Sequence, residues 1–108
     1  MYTQDAKDAV HDMLQEARST EKPLTRVTDI TVSVGMSDTW GRYVNIWLWG
    51  REAIGGYETV AEWTLYPGDS ADLCSLAIAL ATEMQTQIRK IGKFDADMEV
   101  WNGERQLY

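Results

Sequence analysis

The sequence predicts an α+β domain, a two-layer sandwich with two helices on one face of an antiparallel sheet of three or four strands. Three observations predict this class. Apolar residues recur at helical spacing near the start of the chain and again in its second half, strand-like runs lie between these stretches, and the connections are short. The predicted order is α-β-β-β-α with an optional trailing strand, in one domain over residues 1–108.

The first predicted element is an amphipathic helix over residues 3–19. Thr3 is its expected N-cap. The apolar stripe consists of Ala6, Ala9, Val10, Met13, Leu14 and Ala17. The outer face carries a row of carboxylates, namely Asp5, Asp8, Asp12 and Glu16. Pro23 disfavours a helical residue before it, so the helix is expected to end upstream of that proline.

The next element is a strand predicted over Thr25–Gly35, with its branched residues Ile30, Val32 and Val34 facing the core. The most strand-like run follows at Arg42–Gly50. One face of this central strand carries Val44, Ile46 and Leu48, and the other carries Tyr43, Asn45, Trp47 and Trp49. Because the strand is apolar on both sides, something is expected to cover its second face.

A third strand is predicted over Tyr57–Tyr66, with Ala61, Trp63 and Leu65 facing inward. Tyr66 then belongs to the same outer face as Trp47 and Trp49. Val60 breaks the alternation, which predicts a register irregularity at the start of this strand.

A long second helix is predicted to begin at a cap on Asp69 or Ser70 and to end near Ile91. Its apolar stripe includes Leu73, Leu76, Ala77, Leu80, Met84, Ile88 and Ile91. Gly92 is expected to take the left-handed conformation just beyond the helix. The tail over 94–101 alternates like a short strand, with Asp95, Asp97 and Glu99 on one side.

Composition excludes several classes of protein. The formal charge is −7, with ten basic and seventeen acidic residues, so direct nucleic-acid binding is disfavoured. The single cysteine cannot form an internal disulfide. No apolar run reaches the ~18 residues of a membrane span, and the first residues do not read as a signal peptide. The expected location is the cytoplasm, which is the host cytoplasm if the chain is phage-encoded.

The order of elements resembles that of the double-stranded RNA-binding domain. Those domains place a basic cluster at the start of their second helix to hold phosphate. Here the matching stretch, Pro67–Asp72, is acidic. The resemblance therefore concerns layout alone, and a shared layout does not carry function.

No catalytic constellation, cofactor motif or metal site is predicted. His11 is the only histidine and lies beside Asp8 and Asp12 on a polar helix face, which makes a poor zinc site. Cys74 lies near the start of the second helix, where a thiol pKa can be lowered, so a small enzyme using Cys74 or His11 is one hypothesis. A small buried helix residue is the simpler interpretation of this cysteine.

The leading hypothesis is a non-enzymatic protein-binding module that occupies a partner surface, in the manner of phage inhibitors such as anti-CRISPR or anti-restriction proteins. Tyr and Trp are enriched at binding hot spots. The predicted contact residues are Tyr43, Asn45, Trp47, Trp49 and Tyr66. The acidic rows favour a partner with a basic surface or imitation of a phosphate backbone, and a homodimer is expected.

The main alternative is a small-ligand or nucleotide-binding domain with Trp47 and Trp49 as stacking platforms. Two structural alternatives would remove the aromatic surface from solvent. The C-terminal segment would fold across it, or the register of the strand would be displaced by one residue.

Overall fold

A computed structural model describes residues 3–68, 72–92 and 95–108. The α+β class and the two helices are confirmed. A 3₁₀ turn, Leu24–Arg26, follows the first helix. The elements in chain order are α1 Thr3–Ser19, β1 Asp29–Ser37, β2 Gly41–Arg51, β3 Tyr57–Leu65, α2 Leu73–Ile91, β4 Asp97–Asn102 and β5 Arg105–Gln106.

The sheet has five strands in the order β3-β2-β1-β4-β5, and its β1–β4 pair is parallel. The prediction of a wholly antiparallel sheet with three or four strands is therefore wrong. β1 and β3 both run antiparallel to β2, so they point in the same direction. Helix α2 then acts as a crossover that returns the chain to the far edge of β1, where β4 pairs in that same direction.

One core lies between the sheet and both helices. Cross-strand pairing brings Ile30 opposite Leu48, and Val32 opposite Ile46. Leu80 and Met84 of α2 are fully buried, as expected of the helix stripe. Eight buried strand residues share the face that the helices cover: Ile30, Val32, Val34, Val44, Ile46, Leu48, Ala61 and Val100. The opposite face, which we call the open face, carries no helix among the described residues.

A β-bulge interrupts the β2–β3 pair between Leu48 and Trp49. Ala61 pairs with Leu48, Thr59 pairs with Trp49, and Val60 is the extra residue. Val60 and Ala61 are consecutive and both buried, which regular alternation does not allow. The irregularity predicted at Val60 is thus a bulge. It places Tyr57 and Thr59 on the open face.

Several predicted boundaries are wrong. β1 begins at Asp29 instead of Thr25, because the preceding residues form the 3₁₀ turn. Asp72 caps α2 and accepts from the Ser75 N–H at 3.2 Å, whereas the predicted caps Asp69 and Ser70 lie outside the described residues. Gly92 is extended, with φ −92° and ψ 178°, instead of left-handed.

The C-terminal part of the chain adds to the sheet edge. β4 covers Asp97–Asn102, and the turn at Gly103, with φ 61°, leads into the short strand β5, which was not predicted. Leu107 N–H donates to the Val100 carbonyl at 2.6 Å and its side chain packs against the core. Neither helix within the described ranges has the length and hydropathy needed to cross a bilayer.

Candidate functional site: an aromatic and acidic notch on the open face

The open face is organised as rows of residues that cross the strands. One row places Trp49 beside Asp29, and Asp29 beside Asp97. The next row places Trp47 beside Thr31, and Thr31 beside Glu99. Aromatic residues of β2 therefore face acidic residues of β4 across β1.

The two indoles of β2 form the aromatic side of this arrangement. Their ring centroids are 4.9 Å apart with an interplanar angle of 77°, an edge-to-face contact. Trp49 Nε1–H donates to Thr31 Oγ1 at 3.2 Å, which fixes the ring over β1. Both rings are half-buried. Their orientation is set before any partner arrives, so little side-chain ordering is needed on binding.

A depression of about 320 Å³ lies between these rings and the acidic residues. We call it the notch. Besides the backbone of β1, it is lined by Asp29, Thr31, Trp47, Trp49, Tyr57, Asp97 and Glu99. This volume is at the lower end of the range for small-molecule pockets, roughly 300–1,000 Å³.

One cation of the chain already lies at the edge of the notch. The Arg51 guanidinium carbon is 5.8 Å from the Tyr57 ring centroid, and Arg51 Nη2 is 3.6 Å from Asp29 Oδ1. The side-chain hydrogen bond to Tyr57 is the largest cause of a raised pKa at Arg51, and Asp29 adds to it. Thr28 Oγ1–H also donates to Asp29 Oδ2 at 2.7 Å, so this carboxylate is held in place.

The two acidic residues of β4 are exposed. Glu99 Oε2 accepts from Trp101 Nε1–H at 3.0 Å, which orients its carboxylate. Of the three tail residues predicted as one acidic side, Asp97 and Glu99 do share the open face. Asp95 precedes β4 and pairs with Arg89 at 2.7 Å instead.

The other predicted contact residues lie outside the notch. Tyr43 pairs with Gly35, and its ring covers that glycine so closely that an added Cβ would lie 2.5 Å from the hydroxyl oxygen. Asn45 Oδ1 accepts from Thr64 Oγ1–H at 2.6 Å. Tyr66 lies beyond β3, 6.4 Å from the Trp40 ring, at the opposite end of β2 from Trp49.

The acidic row of α1 is exposed and lies on a separate surface. Asp8 accepts from Gln4 Nε2–H at 3.0 Å, and Glu16 accepts from the Trp63 indole. Asp5 and Asp12 are exposed on the same helix. Glu16 thus joins α1 to β3, so it differs from the other members of the row.

His11 and Cys74 line different depressions. His11 faces a cleft between the helices, beside Lys7, Glu83 and Lys90. Cys74 lines a second cleft and accepts a long contact from Asn102 Nδ2 at 3.7 Å. Within residues 3–68, 72–92 and 95–108, no cluster of three or more potential metal ligands is present.

The described C-terminal segment does not cover the aromatic surface. It pairs with β4 at the sheet edge, where β1 and β4 separate it from β2. Alternation along β2 was sufficient to predict Trp47 and Trp49 on one face. Tyr57 and Asp29 were missed as site residues. The irregular Val60 was the available signal for Tyr57, whereas nothing in the sequence placed Asp29 beside Asp97.

Comparisons with protein-family models, with curated proteins and with solved structures gave no match.

Proposed function

We propose that this chain is a non-enzymatic protein-binding module that docks onto a partner through the open face. The observation that carries the proposal is the pair Trp47–Trp49, fixed edge to face and half-buried on a sheet face that no described helix covers. Fixed aromatic rings supply large contact area at low entropic cost, which is why they recur at binding hot spots. The net charge of −7 favours a partner with a basic surface.

The proposed mechanism is steric occupation of the partner surface, as in small phage inhibitors of host enzymes or defence systems. Homodimerisation through the open face is the alternative to binding a different protein. The acidic residues beside the indoles would then approach their copies, and this repulsion favours a different, basic partner over a second copy.

The test compares wild-type protein with the Trp47→Ala/Trp49→Ala variant. The expected result is an unchanged far-ultraviolet circular dichroism spectrum, with partner capture or self-association weakened by about tenfold or more. Trp40→Ala is the matched control, because this tryptophan lies in the β1–β2 turn. Sedimentation equilibrium measures self-association separately. Equal capture by all three proteins would contradict the proposal.

Small-ligand binding is the second candidate function, and the notch volume is the observation that favours it. Asp97 and Glu99, which we call the acidic rim of the notch, disfavour a nucleotide because they would repel its phosphates.

An enzyme using Cys74 or His11 is the third hypothesis. It predicts loss of biological activity in Cys74→Ala or His11→Ala with folding unchanged, whereas the binding-module proposal predicts that both variants stay active.

A further inference from the structure

Among the described residues, three carboxylates line the notch and one cation, Arg51, lies at its edge. Asp29 lies directly opposite Asp97 in the parallel β1–β4 pair, and Glu99 is two residues farther along β4. Neighbouring strands are ~4.8 Å apart and same-face residues are ~6.7 Å apart, so the three carboxylates share a small area. Like charges directly opposite each other are destabilising.

Arg51 lies at one edge of this area, and Asp97 makes the smallest of the contributions that raise its pKa. Arg51 approaches Asp29 at 3.6 Å. In the part of the chain that the structure describes, the ion pairs involve neither Asp97 nor Glu99. A cation placed between β4 and the indoles would therefore relieve a repulsion that the fold leaves in place.

The aromatic side of the notch is suited to the same cation. A guanidinium or ammonium group near the face of a tryptophan is attracted by the ring quadrupole. Arg51 already shows this combination within the chain, because it contacts the Tyr57 ring and the Asp29 carboxylate at once.

We infer that the notch binds the guanidinium group of an arginine on the partner protein. The inference rests on the proposed function and names the group that docks. Arginine is favoured over lysine because its planar group stacks on an indole while its N–H donors bond two carboxylate oxygens. The volume of about 320 Å³ accommodates one such side chain.

The test uses three capped peptides: acetyl-Gly-Arg-Gly-amide, its lysine counterpart, and its citrulline counterpart, which keeps the shape and removes the charge. Titration is followed by the indole N–H signals in ¹H–¹⁵N spectra. The expected result is saturable shifts at Trp47 and Trp49 with the arginine peptide, with Trp40 and Trp63 as internal references. The citrulline peptide should produce no saturable shift.

Neutralising the acidic rim tests how much its charges contribute to binding of the arginine peptide. Asp97→Asn/Glu99→Gln should weaken arginine-peptide binding about fivefold, the upper range for exposed ion pairs. The control Asp8→Asn/Asp12→Asn removes the same amount of charge from α1 and should change the affinity for the arginine peptide little. If the rim double variant fails to fold, Glu99→Gln alone carries the test and should weaken binding about twofold.

Three results would overturn the inference: equal binding of the citrulline peptide, equal or tighter binding of a matching lysine peptide, or no response at either indole. Partner capture separates this inference from the proposed function. If Asp97→Asn/Glu99→Gln still captures the partner and Trp47→Ala/Trp49→Ala does not, the proposed binding function stands and the inference of an arginine ligand is wrong. Capture that survives both changes rejects both proposals.

Discussion

Asp97→Asn should make the protein more stable at low salt, which is unusual for a substitution in a folded domain. Asp97 and Asp29 are direct cross-strand neighbours, and cross-strand charge pairs change stability by roughly 0.2–1 kcal/mol. Among the described residues, Arg51 is the cation beside this pair, and its ion pair is with Asp29 at 3.6 Å. We therefore expect a gain of about 0.5 kcal/mol in the free energy of unfolding.

The assay is urea unfolding in 0.01 M and 1 M NaCl, where the Debye lengths are ~30 Å and ~3 Å. Asp12→Asn is the matched control, since it removes one exposed charge from α1 and reports the effect of net charge alone. The gain of Asp97→Asn over this control should be present in low salt and nearly vanish in high salt. An equal response of both variants in both salts would refute the argument that charge is left unbalanced in the notch.

The remaining predictions concern the scaffold. Leu80 is fully buried, so Leu80→Ala should cost ~2–5 kcal/mol, whereas Thr82→Ala on the exposed side of α2 should cost little; equal urea midpoints would mean that the helix faces the other way. A Cβ on Gly50 would lie 3.0 Å from the Arg26 carbonyl oxygen, so Gly50→Ala should cost ~1–3 kcal/mol, and an unchanged midpoint would contradict this close approach. Hydrogen bonds from Ser75, its side chain first, lower the pKa of Asp72 below its usual 3.8, so Asp72→Ala should lower the thermal midpoint near neutral pH. Because the native cap is lost as pH falls through the lowered pKa, that difference should shrink below about pH 3.8, and a difference independent of pH would refute it.

Local patterns predicted the elements better than their arrangement. The span of α1 and the inward faces of β1 and β2 follow from spacing alone, since each depends on residues close in sequence. The position of β4 does not, because it depends on how α2 crosses the sheet. The cap at Asp72 was missed because Asp69 and Ser70 carry the same capping chemistry three and two residues earlier.

The same distinction between local pattern and strand arrangement applies to the residues of the candidate site. Trp47 and Trp49 were predictable because alternation within one strand puts them on one face. Tyr57 joins them only through the extra residue Val60, whose effect on pairing depends on the partner strand. Asp29 meets Asp97 only because β4 inserts beside β1, and no pattern within either strand specifies that neighbour.

The parallel insertion of β4 has a consequence for the order in which the notch forms. Its aromatic side comes from β2 and β3, which are joined by a short connection and close a small loop. Its acidic rim arrives from β4, which pairs with β1 across a sequence separation of 68 residues between Asp29 and Asp97. Closing the longer loop costs more chain entropy, so the acidic rim is expected to form after the aromatic side of the notch. An arginine bound between them would couple the two segments, and protection of the β4 amides from hydrogen exchange should then increase on binding.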